Sequence, residues 1–196
     1  MIADLYEIRE TGRYGKGLFA TQSIPKGTID AFRCKKCGTY SEEELAKLPK
    51  KELDFLIGHE VKEESGQYSK FCDKRMLYGN HSCNPNTLNA YILGRGNGGA
   101  SIVVRDIKKG EEATEDYRLF EGEESIHFVG GCRCGEKNCM KKTIFRPPAP
   151  KKLQKFWEGK INAALQSIPY VKQPLKAELL KEHPELSPLF KKSDRL

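Results

Sequence analysis

The chain has 196 residues, of which 38% are hydrophobic and 31% are charged. A chain of this length and composition buries a core of its own, so general disorder is not expected. No stretch approaches the ~20 apolar residues of a membrane-spanning helix. The first residues also lack the basic and then apolar pattern of a secretory signal, so neither element is expected.

The net charge of +7 is concentrated towards the C-terminal end. Residues 1–139 contain 21 Lys or Arg and 22 Asp or Glu, whereas residues 140–196 contain 13 and 5. The excess of +8 in the second part suits contact with nucleic acid or another acidic surface. The alternative, which we favour, is a solvated basic face of a helix.

The cysteines are spaced for metal binding rather than for disulfides. An odd number excludes complete pairing within the chain, and Gly135 lies among the last three. Such clusters are typical of metal sites in a reducing compartment. We therefore expect an intracellular protein, nuclear in a eukaryote and cytoplasmic in a prokaryote. The seven are Cys34, Cys37, Cys72, Cys83, Cys132, Cys134 and Cys139.

The first third of the chain predicts short strands followed by two helices. Residues 18–20 and 28–32 have strand composition and lie between glycines. Ser41 precedes an acidic run and apolar residues at helical spacing, which predicts a helix capped by Ser41. Pro49 is expected to divide residues 41–57 into two short helices.

Further along, residues 87–93 and 100–104 predict two strands joined by a glycine-rich turn at 94–99. Residues 106–110 echo residues 23–27, and both segments predict a turn that leads into a strand. After a proline-rich linker that ends at Pro150, apolar residues at 3–4 spacing predict an amphipathic helix over 151–168. A second helix is expected within 174–190, broken at Pro184, and the tail is expected to pack on the domain.

Three segments before the late cysteines carry candidate chemistry. Residues 15–20 match the G-x-G-x-x-A pattern of dinucleotide-binding proteins, but Pro25 and Gly27 exclude the long helix that this site requires. The remaining interpretation is a glycine loop where the backbone comes close to a ligand or to another strand. The segment Asn80-His81-Ser82-Cys83-Asn84-Pro85-Asn86 is densely polar and must be paired if buried; the alternative is a surface loop. Tyr117 ends an acidic strand, and the alternative there is a packed tyrosine.

Cys132, Cys134 and Cys139 supply three thiolates, a strong indication of a zinc site. A closed structural site requires a fourth ligand. Cys83, His81 and the Cys34 and Cys37 pair are the candidates.

Together these motifs resemble the SET-domain protein-lysine methyltransferases that carry a cysteine-rich post-SET segment. The resemblance covers about residues 5–145. It implies a mainly β (β+α) fold of small sheets with a pseudoknot-like threaded loop, a zinc-bound post-SET segment and a C-terminal helical tail. The expected boundaries are 1–125 for the SET domain with insert helices at about 41–57, 126–145 for the post-SET segment and 146–196 for a basic helical extension.

The resemblance also implies S-adenosylmethionine as methyl donor and a protein lysine as acceptor, such as a lysine of a histone tail in a eukaryote. Tyr117 would be the catalytic residue. The implied cofactor-binding residues are Lys16, Gly17, Leu18, Tyr68, Asn80 and His81. The implied ligands of one structural zinc are Cys83, Cys132, Cys134 and Cys139.

Several expectations remain open at this point. Glu115 stands where the family usually has Phe or Tyr, so the number of methyl groups transferred is undetermined. A second zinc is considered at Cys34, Cys37 and Cys72, with His59 as a further candidate ligand, and the alternative is three reduced thiols. Acidic residues near Tyr117 are expected to favour a basic peptide, with a solvated charge run as the alternative: Glu115, Asp116, Glu121, Glu123 and Glu124.

Two other functions compete with methyl transfer. One is a catalytically silent SET-like module that binds a peptide or protein partner, and the presence of Tyr117, Asn80 and His81 argues against it. The other is a zinc-ribbon protein that binds nucleic acid through the basic tail. Its single well-formed cysteine cluster and acidic middle region argue against that function.

Overall fold

The computed structural model describes residues 1–13, 15–59, 66–90, 92, 99–119, 131–139, 141 and 149–192. Within these ranges, no helix combines the length and the apolar character that crossing a bilayer requires.

The described residues form short strands and four α-helices. The strands are β1 (Tyr6–Glu10), β2 (Lys16–Ala20), β3 (Ile29–Phe32), β4 (Gly38–Thr39), β5 (Ser69–Lys70), β6 (Asn80–His81), β7 (Thr87–Asn89), β8 (Ala100–Val103) and β9 (Glu112–Glu115). The helices are α1 (Glu42–Ala46), α2 (Lys50–His59), α3 (Lys151–Leu165) and α4 (Lys176–Glu182).

The strands make three small sheets with the orders β1-β2-β9-β6, β3-β8-β7 and β4-β5. All pairs are antiparallel except β6 and β9, which run parallel with Asn80 opposite Thr114. The expected fold of small sheets with a few helices is confirmed. The strand predicted over 87–93 is shorter than expected, because β7 ends at Asn89.

The two similar turn segments pair with each other. Ile24 and Ile107 exchange backbone hydrogen bonds of 2.8 and 2.9 Å, and the N–H of Lys26 donates to Asp106 Oδ1 at 2.8 Å. Both isoleucines are almost fully buried. The pairing joins the chain ahead of β3 to the chain ahead of β9, so the two segments stabilise each other in the core.

The insert between β4 and β5 follows the predicted capping chemistry. Ser41 accepts from the N–H of Glu44 at 3.2 Å, while the carboxylate of Glu44 accepts from the N–H of Ser41 at 3.0 Å. Pro49 separates α1 from α2, as expected. Among the described residues, the apolar cluster at this insert is small, and its buried members are Tyr40, Leu56 and, from beyond β5, Leu77.

The C-terminal helices pack on the domain, as predicted. Leu153, Trp157 and Ala164 of α3 are buried in the main core together with residues of β2, β3 and β8. Gln173 fixes the tail to the strand layer, since its Nε2 donates to the carbonyl of Gly27 at 2.7 Å and its Oε1 accepts from the N–H of Ile29 at 2.9 Å. Gly27 has φ +93°, and a Cβ there would lie 2.6 Å from Ser167 Cβ.

Candidate functional site

Asn80 connects the three strands nearest to the candidate site. Because β6 lies beside β9, the side chain of Asn80 reaches Glu112 on β9 and Lys16 on β2. Its Nδ2 donates to Glu112 Oε1 at 2.7 Å and to the carbonyl of Lys16 at 3.1 Å. The glycine loop and the Asn-His segment, 64 residues apart in the sequence, therefore meet at one place.

Three side chains lie so close to Gly17 that a larger residue there would displace them. A Cβ at this position would lie 2.3 Å from Glu112 Oε1, 2.8 Å from Asn80 Nδ2 and 2.9 Å from Thr11 Cγ2. The predicted close approach of backbone at the glycine loop is thus made to side chains of β6 and β9. Leu18, the next residue, is buried opposite Ala113.

A cleft of about 350 Å³ opens beside these groups. Arg13 and Glu112 bring both signs of charge to it. The late cysteine segment forms part of its wall through Cys134 and Glu136. Its further lining residues include Thr11, Asn80, His81 and Ser82.

His81 lies between this cleft and Tyr117. Its Nδ1 accepts the backbone N–H of Tyr117 at 3.1 Å, and the two rings are 5.5 Å apart between centroids. The hydroxyl of Tyr117 donates to the carbonyl of Gly79 at 2.5 Å. The phenol is therefore held at the residue that immediately precedes Asn80 and His81.

Asp116 is a buried anchor behind Tyr117. It receives two hydrogen bonds of 2.6 Å from the guanidinium of Arg118 and one of 2.9 Å from Trp157 Nε1. Burial lowers the pKa of Arg118, but the hydrogen bonds and charge of Asp116 outweigh it and hold that pKa above its ordinary value. The expectation that Asp116 attracts a basic peptide is wrong, because the carboxylate is buried and paired.

The late cysteines gather around Cys83. Ligand atoms of His81, Cys83, Cys132 and Cys134 all lie within 4.8 Å of one another, and Cys139 packs against the same cluster. The Sγ atoms of Cys83 and Cys132 are 3.7 Å apart. A tetrahedral zinc with Zn–S bonds of ~2.3 Å places its sulfurs ~3.8 Å apart, so this spacing suits the ion.

His81 also faces this cluster, with Nε2 3.4 Å from Cys83 Sγ. A neutral imidazole has one N–H. Because Nδ1 accepts the N–H of Tyr117, the proton belongs on Nε2, which then donates to the sulfur of Cys83. This tautomer favours four cysteine ligands with His81 as their hydrogen-bond donor.

Other predicted residues lie elsewhere. Tyr68 packs against the Tyr40 cluster of the insert. Like Tyr68, the predicted cofactor residues Lys16, Gly17 and Leu18 are not among the described residues that line the cleft, but the Lys16 carbonyl accepts a hydrogen bond from Asn80, which does line it. Glu121, Glu123 and Glu124 lie outside the described residues. Sequence reasoning missed the Gly79 carbonyl and Trp157 as neighbours of the site. The position of the single tryptophan on the apolar face of α3 indicated that it would be buried, but the sequence did not indicate Asp116 as its hydrogen-bond partner.

The geometry agrees with an independent comparison of sequences. The profile described as SET domain matches residues 15–118. The chain belongs to the SET domain family. That match contains the glycine loop, Asn80, His81 and Tyr117 and ends before the late cysteines and the helical tail of this SET-domain protein.

Two sequence relatives of this SET domain are histone-lysine N-methyltransferases by name. This chain is 28% identical to "Histone-lysine N-methyltransferase ASHH3" of Arabidopsis thaliana over 150 residues. The aligned region covers 72% of this chain and 39% of the relative. Over 64 residues, 32% of this chain and 7% of the relative, the chain is 38% identical to "Histone-lysine N-methyltransferase, H3 lysine-36 specific" of Cryptococcus neoformans. The chain thus spans about two fifths of the first relative and less of the second. A solved structure from Plasmodium falciparum covers 59% of this chain and 95% of its own at 22% identity, with a TM-score of 0.37.

Proposed function

We propose that this SET domain transfers a methyl group from S-adenosylmethionine to a lysine side chain of a protein. The observation that carries the proposal is the position of His81, which is one of the residues that line the charged cleft and whose Nδ1 accepts the backbone N–H of Tyr117. The cleft and the backbone of Tyr117 thereby meet at one residue. The names of the two relatives, both histone-lysine N-methyltransferases, support the same reaction.

The cleft fits the proposed methyl donor by size and charge. A volume of about 350 Å³ lies within the ordinary range of ligand clefts. S-adenosylmethionine carries a carboxylate and an ammonium group, for which Arg13 and Glu112 are complementary partners. When bound, it supplies a methyl group made electrophilic by its sulfonium. The proposed residues around it are Asn80 and His81, which line the cleft, and Lys16, Gly17 and Leu18, which adjoin it through the hydrogen bond from Asn80 to the Lys16 carbonyl. Tyr68 packs in the insert instead, so its position does not favour a contact.

The remaining chemistry concerns the acceptor lysine. A lysine with its ordinary pKa of ~10.4 is protonated at neutral pH and has no lone pair for attack. Desolvation in a narrow channel beside a positive charge lowers that pKa, so a strong base is not required. The Tyr117 oxygen and the Gly79 carbonyl are acceptors for the N–H groups of the neutral amine, and they would orient its lone pair. Positioning supplies much of the rate.

We further propose one structural zinc, bound by Cys83, Cys132, Cys134 and Cys139. Four thiolates leave no open position on the ion, so its role is to hold residues 131–139 against the end of β6. Burial raises the pKa of Cys132, which means that this thiol must lose its proton as the metal enters. Because Cys134 and Glu136 line the cleft, loss of zinc would disrupt one wall of the donor site.

The proposed organisation is a SET domain at 1–125, a post-SET segment at 126–145 and a helical extension at 146–196. Burial of α3 and α4 in the main core supports an extension that folds together with the SET domain. A lysine of a histone tail in the nucleus is the proposed acceptor if the source is a eukaryote. In a prokaryote, another lysine-rich protein of the cytoplasm takes its place.

The direct test is incubation of the full chain with labelled S-adenosylmethionine and protein extract of the source, followed by mapping of the modified residues. Label should appear on lysine side chains. Tyr117→Phe should remove most transfer while cofactor affinity stays near the wild-type value, because the hydroxyl acts on the acceptor. A folded protein that binds peptide without transferring label would favour the silent binding module instead.

A further inference from the structure

A second group of thiols, none of which lines the cleft, meets at the base of the insert. Cys34 and Cys37 follow β3, while Cys72 follows β5 more than thirty residues later. Their three sulfur atoms all lie within 4.8 Å of one another. Cys34 Sγ is 3.8 Å from Cys37 Sγ and 3.3 Å from Cys72 Sγ, and all three thiols are free. Folding therefore brings together two cysteines of one turn and one distant cysteine.

The spacing and the local hydrogen bonds suit a metal ion. Sulfurs that share a tetrahedral zinc lie ~3.8 Å apart, close to the distances found here. The turn is closed by a 2.8 Å hydrogen bond from the Cys37 N–H to the Cys34 carbonyl. A backbone N–H also points at one of the sulfurs, from Cys72 to Cys37 Sγ at 3.4 Å. Such N–H···S contacts stabilise thiolates, which are the forms that bind metal.

We propose that Cys34, Cys37 and Cys72 bind a second zinc ion, separate from the ion at the late cysteines. Cys34 is buried and Cys72 is exposed, so solvent reaches the site, and water is the proposed fourth ligand. His59 does not supply it, since its Nδ1 contacts the Phe55 carbonyl at 2.7 Å and its ring packs between Phe55 and Tyr78. Within the part of the chain that the structure describes, no histidine or carboxylate joins the three sulfurs.

The ion would stabilise an insert that has little core of its own. Among the described residues, three are buried in the apolar cluster at the insert, far fewer than in the main core. A metal at the two ends of this segment fixes it to the end of β3, as structural metals do in small units. The same turn contacts the C-terminal extension, because the N–H of Lys35 donates to Glu182 Oε2 at 2.8 Å. The site therefore lies where the SET core, the insert and the tail meet.

The test is the zinc content of the full chain, purified under reductant and measured by mass spectrometry of the metal. Wild type should contain two zinc ions per chain. Cys72→Ser, chosen because this side chain is exposed, should contain one. Lys36→Ala alters the same turn but keeps every thiol and backbone N–H, so it should retain both ions. Two ions in Cys72→Ser, or one in wild type that disappears with Cys132→Ser, would overturn the proposal.

Cobalt provides a second measurement that separates the two sites. In a Cys132→Ser/Cys134→Ser protein, added Co²⁺ should still give the near-ultraviolet thiolate-to-metal band, and adding Cys72→Ser should abolish it. If circular dichroism shows that the Cys132→Ser/Cys134→Ser protein is unfolded, the intensities of the Co²⁺ band in wild type and in Cys72→Ser are compared instead, and Cys72→Ser should have the weaker band. A Cys34–Cys72 disulfide that persists under reductant, detected by mass, would also refute the metal site.

Discussion

The indole Nε1 of Trp157 donates a 2.9 Å hydrogen bond to Oδ2 of Asp116, and both side chains are buried. Asp116 immediately precedes Tyr117, and its other oxygen lies 3.8 Å from His81 Nδ1. Trp157 belongs to α3, which lies beyond the residues that the SET domain profile matches. The helical extension thus contacts the residue on which the position of the candidate catalytic tyrosine depends.

Trp157→Phe should therefore weaken both stability and catalysis. The substitution keeps most of the packing but removes a hydrogen bond to a buried carboxylate, which is worth on the order of 2 kcal/mol. We expect a lower free energy of unfolding in denaturant titrations. We also expect a lower kcat at a temperature where the variant is fully folded.

Glu158→Gln is the matched control, because Glu158 is the exposed neighbour on the same helix. It should behave as wild type in both measurements. An unchanged kcat in folded Trp157→Phe would mean that the tryptophan contributes to packing alone.

Local elements could be predicted from the sequence because their causes are local. The Ser41 capping box, the break at Pro49 and the apolar face of α3 each depend on residues within a few positions. The contact of Trp157 with Asp116 spans 41 residues, and that of Cys34 with Cys72 spans 38. Cys72 was a candidate partner of Cys34 because of its residue type alone. That Trp157 contacts Asp116 depends on how the helix packs on the sheets, which a spacing pattern does not encode.

The polar segment of residues 80–86 also combines a feature that was predictable from the sequence with contacts that were not. Its density of polar groups predicted pairing if buried, and Asn86 is fully buried and satisfied. Its Nδ2 donates to the Glu112 carbonyl at 2.8 Å and its Oδ1 accepts from the N–H of Thr114 at 2.8 Å. The composition did not indicate that Asn86 would bond to β9, or that β6 would run parallel to β9.

Gly17→Ala should damage the donor cleft. An added Cβ would overlap Glu112 Oε1 and Asn80 Nδ2, so both side chains must move and their 2.7 Å hydrogen bond would be disrupted. We expect weaker binding of S-adenosylmethionine in calorimetric titration, together with reduced stability. The overlap involves side-chain ends, so the protein should still fold.

Gly159→Ala tests whether glycine replacement as such is harmful. This position lies in α3, and nothing is within 4 Å of its added Cβ. Because alanine favours helix over glycine, the variant should be more stable by ~0.5–1 kcal/mol with unchanged cofactor affinity. Equal cofactor affinities in the two variants and wild type would contradict the role assigned to Gly17.

Glu115→Gln should weaken binding of the acceptor lysine. A Cβ on Gly79 would lie 3.8 Å from the Glu115 carboxylate, so this side chain lies beside the residue that holds the Tyr117 hydroxyl. A nearby carboxylate attracts an incoming ammonium by on the order of 1 kcal/mol. We expect KM for a lysine peptide to rise a few-fold and to depend less on salt.

Glu10→Gln, on exposed β1, is the control for this change and should leave KM unaltered. An equal KM for Glu115→Gln and wild type at low salt would show that the carboxylate does not attract the substrate.

Asp30 should make stability fall as pH rises. It is buried and accepts the Tyr6 hydroxyl at 2.6 Å. Burial raises its pKa, outweighing hydrogen bonds that lower it. The unfolded chain has an Asp pKa of ~3.9, so the folded state binds this proton more tightly. Its stabilising contribution is complete below that value and is lost as pH rises through the folded pKa.

Asp30→Asn removes this titration and keeps a similar shape. Denaturant titrations across pH should show the variant gaining on wild type between ~pH 4 and the folded pKa, with a constant difference on either side. Asp54→Asn, an exposed change on α2, should keep a constant difference throughout. A constant difference for Asp30→Asn as well would mean that Asp30 binds its proton equally tightly in the folded and unfolded states.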